Sequence, residues 1–134
     1  MQIPGVSPEF FVESIPKIIH SENRLSGDIN IVFCSDEYLL DINKKYLSHD
    51  YYTDVITFEY AENERVSGDV FVSIDRILEN STELKTNVVE ELCRVVFHGV
   101  LHLLGYNDKT KEEKEEMSSK ENEYLKTFVS RETK

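Results

Sequence analysis

Over positions 88–104 the chain is apolar almost everywhere, and the polar residues that interrupt it share one narrow stripe. At about 100° per residue, Glu91, Arg94, His98 and His102 fall on that stripe, while Leu92, Cys93, Val95, Val96, Phe97, Val100, Leu101, Leu103 and Leu104 cover the rest. The pattern predicts a buried helix with one polar seam. Gly105 is placed to end it, because glycine takes left-handed backbone at a helix C-terminus without a steric penalty. Upstream, Ile29, Ile31 and Phe33 alternate with Asn30, Val32 and Cys34, the period of a strand. Ser35 then caps a helix with Asp36 and Glu37 in its first turn, Lys44 and Lys45 in its last, and an apolar stripe of Leu39, Ile42 and Tyr46. The β-branched and aromatic runs 55–60 and 70–74, with Gly68 between them, predict an antiparallel hairpin. Asp54 and Asp69 are read as turn residues at the starts of its two strands. A last helix is expected over about 111–129, docked by Met117, Leu125, Phe128 and Val129, with Thr110 and Glu113 forming a capping box. The first 24 residues resist assignment. Ser7-Pro8 has the form of a helix start, yet Pro16 should interrupt a helix through Phe11, Ile15 and Ile18.

Strands interspersed with helices predict an α/β (α+β) fold: a single domain over 1–134 with a small mixed four-stranded sheet packed against helices, the seamed helix buried behind it. With 40% hydrophobic and 31% charged residues the chain is too apolar to be disordered. The net charge of −11 excludes a general nucleic-acid binder, which needs a basic face, so any contact with nucleic acid must be local. No stretch approaches the roughly 20 apolar residues of a membrane helix, and no signal-peptide pattern opens the chain, which together imply a cytoplasmic location. Cys34 and Cys93 lie inside apolar runs and are expected in the core as free thiols.

His98 and His102 are four residues apart on the predicted helix, so their rings point the same way and can meet one ion. A single histidine on an apolar helix is more often a hydrogen-bonded core residue, but burying two in register without a shared purpose costs desolvation twice. A third ligand must come from beyond the helix end. Gly105 permits the reversal, and Asp108 arrives six residues after His102 with a carboxylate suited to zinc. The alternative role for Asp108 is to cap the next helix, for which Thr110 with Glu113 is the better placed pair. The string His-x-x-x-His-x-x-Gly-x-x-Asp is similar to the zinc helix and glycine turn of metzincin proteases, except that Gly99 stands where those enzymes carry the catalytic Glu.

The segment His98-Gly99-Val100-Leu101-His102-Leu103-Leu104-Gly105-Tyr106, taken with Asp50, Thr53-Asp54-Val55 and Gly68-Asp69-Val70, resembles the YbeY family of endoribonucleases. The resemblance runs in consistent order from about Ile29 to Met117. It implies a single mixed α/β domain, a zinc site holding one ion, and a single-strand-specific endoribonuclease in ribosomal RNA maturation, at the 3′ end of the small-subunit RNA, and in ribosome quality control. The implied partners are ribosomal RNA and the small subunit, with no DNA and no membrane. The family's usual third histidine is Asp108 here, and its usual loop arginine before Thr-Asp-Val is Leu47.

In this reading three protein ligands leave one zinc position to a water, acidified toward a pKa of about 7, and the ion polarises a phosphoryl oxygen. Arg94, one turn before His98, can neutralise phosphate in place of the loop arginine, or else bridge to Glu90 or Glu91. His49 can contact substrate or simply be exposed. Asp50, Thr53 and Asp54 shape the loop over the site and can orient the ligands from behind. Two other classes stay open: a zinc hydrolase acting on peptides or small amides, and a non-catalytic ribosome-assembly factor whose metal only pins the last two helices.

Overall fold

The computed structural model describes residues 5–62 and 64–129. Its elements in chain order are α1 (Pro8–Ser21), β1 (Leu25–Cys34), α2 (Asp36–Leu47), β2 (Val55–Glu62), β3 (Arg65–Ser73), α3 (Ile74–Leu84), α4 (Val88–Leu103) and α5 (Lys111–Phe128). The sheet is mixed, as expected, but has three strands among the described residues instead of four. The N-terminal stretch, whose sequence leaves it open, forms a helix that starts where Ser7-Pro8 suggests. Pro8 sits in the first turn, where its missing N–H costs nothing, and Phe11, Ile15, Ile18 and Ile19 recur at helical spacing and are all buried. That burial carries α1 straight through Pro16, at the loss of one backbone hydrogen bond.

β3 is the central strand, parallel to β1 with Ile31 opposite Val70, and antiparallel to β2 with Thr57 opposite Val70. The β2–β3 hairpin pairs antiparallel as expected, but its turn is tighter: β3 already begins at Arg65, so Gly68 lies within the strand opposite Glu59 and not between the strands. Its second strand ends one residue early, because Ser73 caps α3 by accepting from the Arg76 amide, and Ile74 is already helical. Asp69 lies inside β3, not at its start, and accepts a hydrogen bond from the Asn30 side chain across the sheet at 3.0 Å. Ser35 caps α2 through the Tyr38 amide, and the Thr110–Glu113 capping box is present on α5.

Strand alternation gives the sheet two apolar faces. Val66, Val70 and Val72 of β3, with Ile29, Ile31 and Phe33 of β1, join α1, α3, α4 and α5 in the main core. Phe71, Phe58, Ile56 and Cys34 point the other way, onto Leu39 and Ile42 of α2. Tyr46, expected on that stripe, is largely exposed and only edges against Phe58. Both cysteines are buried and neither is in a disulfide, and burial, helped by Asp36 and Asp75, pushes the Cys34 thiol up to about 11.

The seamed helix α4 lies across β2 and β3, with Leu92, Val96, Phe97, Val100 and Leu101 sealed from solvent. Its closest approach is at Gly99, where a Cβ would stand 2.5 Å from a Val70 methyl and 3.3 Å from one of Val55. A glutamate in the metzincin position therefore has no room here. The helix meets the sheet where those enzymes hold their general base. No helix among the described residues is long and apolar enough to cross a membrane.

Candidate metal centre

The polar seam of α4 opens into a cleft of about 410 Å³ between the helix, β2 and the loop that follows α2. His98 and His102 stand on its floor with rings nearly perpendicular at 82°. Beyond them, Gly105 takes φ +104, a conformation an L side chain resists, and the chain folds back over the helix end. The turn delivers two groups. The Tyr106 carbonyl accepts from His102 Nδ1 at 2.9 Å, and Asp108 Oδ2 comes within 3.2 Å of His98 Nε2 and 3.4 Å of His102 Nε2.

The tautomers follow from the partners. A carbonyl oxygen only accepts, so His102 carries its proton on Nδ1 and presents Nε2 with a bare lone pair. His98 donates from Nδ1 to Glu121 Oε2 at 2.6 Å, which in the neutral ring leaves its Nε2 as the bare nitrogen. The two Nε2 atoms are 3.0 Å apart with a carboxylate oxygen against both. Two lone pairs and an anion converging on one point repel each other unless a cation lies between them. Ligands about 2.0–2.1 Å from one tetrahedral ion stand about 3.3 Å apart, close to the spacing seen. The donor set thus fits a single divalent ion. It is also the His/His/Asp group that the spacing on α4 and its turn predicts.

The outer hydrogen bonds come from parts of the chain that local spacing does not reveal. Glu121 is buried on α5, bridging His98 to Arg94 Nη1 at 3.0 Å, while Arg94 Nη2 donates to Asn122 at 2.9 Å. Arg94 therefore pairs with α5, which lies along the polar seam, instead of with Glu90 or Glu91. Its guanidinium is committed to that helix and does not line the cleft. A signal for Glu121 exists in the sequence: it falls on the buried stripe Met117, Glu121, Tyr124, Leu125, where a carboxylate needs a partner. Burial pushes the His98 pKa down, but the hydrogen bond and charge of Glu121, with Asp108 and Asp54, more than offset this and leave it raised.

Thr53 and Asp54 line the cleft, as do Leu47, His49, Tyr51 and Lys109. The Asp54 carboxyl is raised by burial despite the favourable charge of His98, and its backbone carbonyl accepts from the Ser73 amide. Asp50 is turned to solvent and pairs with Lys44 at 3.5 Å. Lys109 is the one lysine or arginine among the lining residues.

A second network holds the glycine turn from outside. Glu22, after α1, accepts from Tyr106 Oη at 2.5 Å, from Lys120 Nζ at 3.0 Å and from Tyr124 Oη. Burial would raise its pKa, but these donors outweigh burial and hold it below the ordinary carboxylate value, while Tyr124 is pushed up to about 12. A carboxylate lowered on folding adds stability above its unfolded pKa and loses it as pH falls through the folded value. Glu22→Gln should therefore lower stability near neutral pH by roughly 1–3 kcal/mol. Denaturant unfolding should show the difference from wild type shrinking in acid, and a constant difference down to low pH would contradict the assignment.

A family model described as endoribonuclease YbeY matches residues 8–129. The endoribonuclease YbeY of Flavobacterium psychrophilum is 47% identical over 118 residues, covering 88% of this chain and 84% of the relative. That of Parabacteroides distasonis is 42% identical over 125 residues, covering 93% and 88%. The solution structure of TM1509 from Thermotoga maritima aligns with TM-score 0.65 and 26% identity, covering 97% of this chain and 89% of that one. The matched span holds all three ligand candidates and both of their outer partners, and the chain belongs to the endoribonuclease YbeY family.

Proposed function

We propose that this chain hydrolyses phosphodiester bonds in single-stranded RNA with the help of one zinc ion held by His98, His102 and Asp108. Its substrate in this reading is ribosomal RNA undergoing maturation at the small subunit, in the cytoplasm. The observation that carries the reading is the convergence of two bare imidazole nitrogens and one carboxylate oxygen at the floor of an open cleft. It is supported by relatives named for endoribonuclease activity. An ion bound there supplies an acidified water and a Lewis-acid contact to a phosphoryl oxygen.

The chain's own residues do the rest. Glu121 and the Tyr106 carbonyl lock the imidazole tautomers, so the nitrogens are aimed before anything binds. Among the described residues Asp54 is the other carboxylate lining the cleft, and its raised pKa suits it to take up a proton from the attacking water. Lys109 is placed to meet a phosphate, the role Arg94 is too committed to fill. The test is to incubate the protein with a short single-stranded fragment of small-subunit ribosomal RNA, the same fragment as a duplex, and casein. Chelator-sensitive cleavage confined to the single strand is expected. Cleavage of casein with the RNA intact, or ribosome binding with no cleavage of any substrate, would overturn the reading.

A further inference from the structure

The outer wall of the cleft poses a problem of grip. The chain carries 26 acidic and 15 basic residues, and among the described residues Lys109 is the one lysine or arginine lining the cleft. An RNA strand held mainly through its phosphates needs several. The wall offers aromatic surface instead. Tyr51 is 56% exposed, and its ring stacks on His49, with centroids 5.1 Å apart and planes 21° apart. The pair is also joined by a hydrogen bond of 3.0 Å between Tyr51 Oη and His49 Nδ1.

The pair is held in place from beneath. Ser48 ends α2 in left-handed backbone at φ 57, turning the chain toward the cleft. The buried Asn43 then takes the His49 amide on its backbone carbonyl at 3.1 Å and donates its side-chain amide to the Tyr51 carbonyl at 2.8 Å. Two flat rings, fixed in advance and open to solvent, stand on the wall of the cleft whose floor holds the ligand nitrogens. Tyr52 is similarly exposed but is tied to Glu37 and Arg76 and lies outside the cleft.

We propose that His49 and Tyr51 form a stacking platform for an unpaired nucleobase of the RNA substrate, so that the strand is gripped through a base more than through its phosphates. The proposal rests on the endoribonuclease reading above and assigns the discrimination against duplex to these two rings. A paired base already stacked in a helix has no free face to offer, whereas an unpaired one gains a partner.

The experiment uses zinc-loaded protein and a short single-stranded RNA, with KM and kcat measured for wild type, Tyr51→Ala, Tyr51→Phe and Tyr52→Ala. Stacking of one base is worth roughly a 5- to 150-fold effect, so Tyr51→Ala should raise KM by that factor with kcat nearly unchanged. Tyr51→Phe keeps the ring and Tyr52→Ala leaves the cleft alone, so both should stay close to wild type. An abasic site introduced at the cleavage position should raise KM in wild type and have no further effect in Tyr51→Ala. The slope of log affinity against log salt should correspond to about one or two phosphates. A Tyr51→Ala protein that cleaves with wild-type KM, or a steep salt slope, would overturn the platform and leave the endoribonuclease reading standing. A wild-type protein that neither binds nor cleaves the RNA would overturn both.

Discussion

Replacing Asp108 with alanine is expected to release the metal ion and abolish RNA cleavage. The substitution leaves two imidazoles one helical turn apart as the remaining ligands, and the other group that the turn delivers, the Tyr106 carbonyl, meets His102 at Nδ1 and not at the ligand nitrogen. The loss of affinity should exceed the roughly 10- to 100-fold that follows from losing an outer hydrogen bond, because a ligand itself is gone. Asp108→His should keep the ion and change the chemistry in a defined direction. A neutral imidazole in place of a carboxylate leaves the ion and its ligands with one more positive charge, which acidifies the water at the site. Cleavage should then reach its plateau at lower pH than in wild type. Metal content by elemental analysis and the pH–rate profile check the two variants. An Asp108→Ala protein with a full equivalent of metal and wild-type cleavage would reduce Asp108 to a turn residue.

Glu121→Ala is expected to weaken metal binding by roughly 10- to 100-fold and to destabilise the fold as well. Glu121 is buried at the junction of α4 and α5, where one carboxylate fixes the His98 tautomer and neutralises Arg94. Without it the His98 proton is free to move to Nε2, and binding an ion must displace it. The Arg94 side chain is one-third exposed, so solvent screens part of the unpaired charge, and the stability cost should be about 2–3 kcal/mol. Glu121→Gln can still accept a hydrogen bond from Arg94 and should recover part of the stability without full metal affinity. Competition against a chromophoric chelator and denaturant unfolding separate the two effects. Wild-type metal affinity in Glu121→Ala would show that His98 needs no support from α5.

What could be read from the sequence was what is local in the chain. His98, His102 and Asp108 lie within one helix and its turn, so a spacing argument brings them together, and Thr110 with Glu113 is legible for the same reason. Their supports are not local. Glu121 is 23 residues from His98 and Glu22 is 84 from Tyr106, and only the packing of α5 and α1 makes them neighbours. Arg94 shows the same limit, since the nearby Glu90 and Glu91 suggest a bridge along the helix and the actual partner arrives from α5. The expected fourth strand has no run of residues behind it, and none forms among the described residues; the N-terminal stretch, which resists assignment, becomes α1 because burial of Phe11, Ile15, Ile18 and Ile19 outweighs the break that Pro16 would impose. The spacing of Ile74, Ile77, Leu78 and Leu84 in α3 is helical, but Ile74 also completes the apolar run 70–74, which reads as strand to its end and hides where the helix starts.

The central claim is that one ion on His98, His102 and Asp108 drives hydrolysis of RNA. Its most direct test is to strip the protein with a chelator, remove the chelator, and titrate zinc back while following cleavage of a single-stranded RNA and the melting temperature together. Both signals are expected to be lowered in the stripped protein and to rise together, with a break at one equivalent of zinc per chain, since an ion bound only by the folded state stabilises it through mass action. Undiminished RNA cleavage by protein shown to be free of metal would contradict the account.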